Sequence, residues 1–152
     1  MSQGQRIGEL LVAAGLIGTA QLDDALGEQA KSGLRLGEIL VRRGFVTEAA
    51  LTQILSNQLS VAWVSLSHVE FPRELLALVP AELAAELTLI PVLFRVGERK
   101  EKILYVAVDD PTNVPAMQRI SEVTGMHVRP LIAPASEIRK AIRTLYFGEE
   151  PA

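Results

Sequence analysis

Two arginines, four leucines and two glutamines recur in this sequence at spacings that suit holding a small planar anion. Arg6 and Gly8 open one stretch that Gln29 closes, and Arg35 and Gly37 open a second that Gln58 closes. Leu22, Leu26 and Gln29 are spaced i, i+4, i+7, as are Leu51, Leu55 and Gln58, so each set shares one face of a helix. An arginine at a helix start sits badly beside the positive end of the helix dipole. An anion there reverses the sign, because free N–H groups and the guanidinium both donate to it. Glycine inside a helix costs roughly 1 kcal/mol relative to alanine. It also removes a side chain where a ligand approaches the backbone. The paired leucines offer a flat apolar surface to a base, and the glutamine amide both donates and accepts.

These residues lie in an internal repeat. Residues 6–29 read RIGELLVAAGLIGTAQLDDALGEQ and residues 35–58 read RLGEILVRRGFVTEAALTQILSNQ. Ten of the 24 positions are identical and five more pair one apolar residue with another. Chance supplies about two identities at ordinary residue frequencies. Core packing requires the leucines to repeat; it does not require the arginine and glutamine to do so. Each copy reads as a helical hairpin. Gly15 and Gly44 stand where a glycine stops the first helix, and Gly18 and Thr47 cap the second. A short turn sets the two helices roughly antiparallel, so each arginine and glutamine come to the same end.

After residue 60 the pattern changes. Residues 61–66 read as a short strand, and 72–79 and 80–87 as short helices with proline near the start. Residues 89–96 and 103–108 are apolar runs around a polar turn, hence a hairpin. A helix over 114–123, a strand over 126–132 and a helix over 136–146 follow. The expected class is α+β, a four-helix tandem hairpin subdomain over 1–60 followed by a small α/β sandwich over 61–148, with a frayed tail at 149–152. Asp109 and Asp110 fall between a strand and a helix; Asp110 is a candidate acceptor for a guanine edge or an arginine, although turn chemistry is the commoner use. His68 and His127 stand alone, and Trp63 is expected in the core or an interface.

The bulk numbers exclude several classes. The net charge is −3, with no basic excess in either part, which disfavours a nucleic-acid polymer. Cysteine is absent, so there is no disulfide or thiolate site. No signal peptide or membrane-length apolar run is visible, and no GxxxxGK[ST] loop or acid–base constellation. A cytoplasmic, non-catalytic module without cofactor or metal is the expectation.

The repeat resembles the tandem motif of MshEN domains, the N-terminal domains of type II secretion and type IV pilus assembly ATPases (the GspE N-terminal family). The family pattern RLGxxLLxxGLIxxxxLxxxLxxQ is matched at Arg6, Ile7, Gly8, Leu11, Val12, Gly15, Leu16, Ile17, Leu22, Leu26 and Gln29. In the second copy it is matched at Arg35, Leu36, Gly37, Leu40, Val41, Gly44, Phe45, Val46, Leu51, Leu55 and Gln58. Ile7 and Phe45 depart mildly from it. The resemblance implies cyclic di-GMP binding, with Arg, the next two residues (Ile7 and Gly8; Leu36 and Gly37), both leucines and Gln as contacts. It also implies a protein partner in a secretion, pilus or motility system, and a rival role as a nucleotide-independent docking domain. The resemblance covers the whole chain and is most specific over 6–58; the second half alone is expected to identify little.

Overall fold

A computed structural model describes residues 3–148, with side chains from Ile7 onward. The expected frayed tail at 149–152 lies outside the described residues. The chain divides into two compact units, residues 1–60 and 61–152.

The first unit holds four helices among its described residues: α1 (Gln3–Ala13), α2 (Thr19–Ser32), α3 (Leu36–Arg42) and α4 (Glu48–Leu59). Both hairpins turn in the same way. Gly15 and Gly44 adopt φ +76° and +73°, the left-handed region that a side chain disfavours. In the first turn Leu16 N–H donates to the Leu11 carbonyl at 3.0 Å and Gly15 N–H to Val12 at 3.0 Å. Phe45 to Leu40 and Gly44 to Val41 repeat those bonds at 3.0 Å each. This six-to-one closure satisfies carbonyls that a helix end leaves open. Thr47 then caps α4, its hydroxyl accepting from Ala50 N–H at 3.1 Å. Gly18 has no side chain to offer α2, and Gln21 Oε1 instead accepts from Gly18 N–H at 2.9 Å. Leu11, Ala25, Ile39 and Leu40 are fully buried at the centre. Two details differ from expectation. The spacer is mostly helical, since α2 continues through Ser32 before Gly33 ends it. Arg35 is the N-cap of α3, whereas Arg6 falls inside α1 rather than at its start.

The second unit has a three-stranded sheet in the order β1 (Leu89–Val96), β2 (Lys102–Val108), β3 (His127–Ile132). β1 and β2 form the expected antiparallel hairpin; β3 joins β2 in parallel through α7 (Val114–Thr124). The helices α5 (Arg73–Leu76), α6 (Ala81–Leu87) and α8 (Ala135–Leu145) pack on β1, and α8 also on β2. The core gathers Leu89, Ile90, Leu104, Val106, Ile120, Ile138 and Ile142. Residues 61–66 do not form the expected strand. Their pairing stops at one bridge, where Val64 N–H donates to the Ile132 carbonyl (2.8 Å) and Ile132 N–H to Ala62 (2.9 Å), before a 3-10 turn at Leu66–His68. Trp63 at this bridge is 54% exposed and so is not core. The region expected to be helical over 72–79 yields only the single turn of α5, capped by Pro72.

The half-buried Tyr146 ties α8 to α5, its hydroxyl donating to the Leu76 carbonyl at 2.9 Å. Burial pushes its phenol well above the ordinary value of 10.0. The folded protein therefore keeps this proton where the unfolded chain releases it. The linked stability is fully present below the unfolded value and is lost as pH rises beyond about 10. Urea unfolding followed between about pH 8 and pH 11 should show that decline, and Tyr146→Phe should flatten it. Thr47→Ala should cost about 1 kcal/mol in the same assay by removing the α4 cap.

Candidate functional site

Within the first unit each hairpin is registered by one contact between a glycine and a leucine of the repeated motif. A Cβ built on Gly8 of α1 would lie 2.3 Å from Leu22 Cδ1 and 3.0 Å from Cδ2 of α2. Its counterpart on Gly37 of α3 would lie 3.0 Å from Leu51 Cδ2 of α4. These glycines thus serve close helix approach, with the first motif leucine filling the space their missing side chains leave. The two copies are not equally tight. Leu22 is buried with Leu26 half-buried, whereas Leu51 is half-buried with Leu55 buried. One leucine of each pair therefore keeps exposed surface.

Ile7, Gly8 and Leu36 are buried, while Gly37, Arg35 and Gln29 are half-buried and Gln58 is exposed. Arg35 stands two residues before Gly37 on the α3 side of the Gly37–Leu51 contact, and Gln58 seven residues after Leu51 on the α4 side. Gln58 is about 10 Å along α4 from Leu51 at helical rise. The Arg6 side chain lies outside the described residues. Asp110 belongs to the second unit. Its Oδ1 accepts from Thr112 N–H (2.8 Å) and Thr112 Oγ1 (2.5 Å), and Asn113 Oδ1 caps α7 by accepting from Ala116 N–H at 3.2 Å. Turn and cap chemistry engages at least one Asp110 oxygen. Among the described residues no group of three or more His, Asp or Glu is arranged to hold a metal.

The structure adds a residue that sequence reasoning missed. Arg43, at the end of α3, pairs with both Asp24 and Glu28 of α2; its Nε donates to Glu28 Oε1 at 2.9 Å. The Glu28 hydrogen bond leads the causes that hold its guanidinium above its ordinary pKa. The clamp joins one repeat to the other and is itself unrepeated: one period earlier stands Ala14, and one period after Asp24 and Glu28 stand Gln53 and Asn57. Those two bond each other at 3.1 Å. The i, i+4 spacing of Asp24 and Glu28 was the available signal.

The α+β fold is similar to that solved for the N-terminal domain of XpsE, with TM-score 0.69 and 23% identity over 94% of this chain and 95% of that one. The chain belongs to the MshEN domain family, whose model matches residues 59–152. That match corrects an expectation, because the second half carries the family signature without help from the repeat. MshE solved with cdg aligns at TM-score 0.70 and 28% identity, covering 92% of this chain and 98% of that one. The type IV pilus assembly ATPase PilB of Myxococcus xanthus is 35% identical over 147 residues, 97% of this chain. The PilB of Thermus thermophilus is 30% identical over 142 residues, 93% of this chain. The chain spans 25% and 16% of those relatives' lengths. No described helix is long and apolar enough to cross a membrane.

The glycine contacts predict an ordered series in equilibrium unfolding. Gly8→Ala should destabilise by about 1–3 kcal/mol, because its Cβ overpacks a buried leucine. Gly37→Ala should cost less. Gly27→Ala, in α2 with open space around its Cβ, should stabilise by up to about 1 kcal/mol.

Proposed function

We propose that this chain is a non-catalytic cyclic di-GMP receptor module, in which residues 6–58 supply two like half-sites and ligand occupancy is passed to a protein partner. The observation that carries the reading is the duplicated Arg, Gly, Leu, Leu, Gln set on hairpins with the same turn and the same glycine–leucine contact. A ligand of two guanines and two phosphates matches a site of two equivalent halves. MshE, a neighbour of 28% identity, was solved with cdg, which we read as cyclic di-GMP. Arg6 and Arg35 are assigned to the phosphates, and Leu26 and Leu51, the leucines with surface left, to the base faces. Gln29 and Gln58 are assigned to polar edges. Asp110 is assigned a secondary role toward guanine or arginine through whatever capacity its turn leaves. The protein partner is proposed to belong to a pilus or secretion system, by analogy with the PilB relatives. The module is placed in the cytoplasm.

A second reading, docking to a protein without nucleotide, draws support from one observation: large apolar side chains exposed at the outer end of β1. Titration calorimetry separates the two. The receptor reading expects saturable heat with cyclic di-GMP. Arg35→Ala and Arg6→Ala should each weaken binding about 10- to 100-fold without unfolding the protein, the range for a lost charged hydrogen bond. A folded sample that gives no heat at about 100 µM ligand or above would overturn the receptor reading.

A further inference from the structure

β1 is an edge strand whose two halves differ. Leu89–Val92 is buried, whereas Leu93, Phe94, Arg95 and Val96 are all exposed, with Leu93 and Phe94 at 39% and Val96 at 58%. The irregularity that blunts the strand, a register shift between Pro91 and Leu93, lies before the exposed part. Beyond it the sheet order leaves one side of β1 without a neighbouring strand among the described residues. Three large apolar side chains in four consecutive positions on an open edge form a template for strand addition.

The charge around this edge selects the partner. Arg95 lies within it, Lys102 pairs across from Val96, and Arg99 and Lys100 stand exposed at the turn. Against these four cations stand two carboxylates, the exposed Glu98 and the half-buried Glu101, whose Oε2 accepts from Arg99 N–H at 3.0 Å. A chain of net charge −3 thus presents a locally cationic, apolar edge. We propose that Leu93, Phe94, Arg95 and Val96 form a docking edge for an acidic, partly apolar strand of a protein partner, added to β1 as a fourth strand. Main-chain pairing supplies affinity, and alternate side chains supply selectivity. A second copy of the chain fits less well, since edge-to-edge pairing brings two Arg95 side chains within a residue or two of each other. A lipid surface offers cations a counter-charge but no main-chain donors and acceptors at strand spacing.

The test uses the full 152-residue chain and a fluorescent peptide of alternating Glu and Val, with a Lys-for-Glu peptide as control. Anisotropy should show saturable binding of the acidic peptide alone, weakened about tenfold or more by Arg95→Glu and by Phe94→Ser. Both positions are exposed, so both variants should fold. Amide exchange should slow at residues 93–96 on binding. The proposal is overturned by an absence of binding at about 1 mM peptide, by equal binding of the basic peptide, or by insensitivity to both substitutions. Capture by phosphatidylglycerol vesicles with no peptide binding, or concentration-dependent self-association that blocks the peptide, also overturns it. The edge shares no residue with positions 6–58, so this outcome and the nucleotide titration are independent.

Discussion

The first unit depends on an absence of side chain. Helix axes approach closely only where something small stands at the crossing, and here Gly8 and Gly37 meet Leu22 and Leu51. That contact sets which turn of one helix lies beside which turn of the next. It fixes the distance from the crossing to the arginine on one helix and the glutamine on the other. The helical cost of a glycine is then offset by the leucine packed into its place. The leucine at that contact is buried in the first copy, Leu22, and half-buried in the second, Leu51.

Much of the first unit was legible because a repeat supplies its own control. Gly15, Gly44 and Thr47 sit where turn chemistry puts them, and the helices follow from their stops and caps. The repeat was a poorer guide where the copies diverge. Arg6 falls inside a helix and Arg35 caps one, and Arg43 ties α2 to α3 with no counterpart in the other copy. An internal repeat reveals what two units share and is silent on what joins them.

In the second unit the apolar β-branched runs identified the strands, and Gly125 ended α7 at φ +70°. Residues 61–66 misled because a short apolar run looks alike whether it pairs over a full strand or over one bridge; the 3-10 turn at Leu66 decides, and it is a tertiary event. The core alternative for Trp63 failed for a similar reason, since size and apolarity do not distinguish a core position from an exposed one. Asp110 shows the reverse case, a charged residue in a favoured location for function whose visible bonds are local. The family model matches residues 59–152, a part in which the sequence shows no legible chemistry.

If two copies of one motif make one kind of site, both must respond to the same ligand. Amide chemical shifts of isotope-labelled protein, followed as cyclic di-GMP is added, test it most directly. The Gly8 and Gly37 amides should both shift and saturate with the ligand, as should the side-chain amides of Gln29 and Gln58. Shifts confined to one copy, or to residues beyond Ser60, would contradict it.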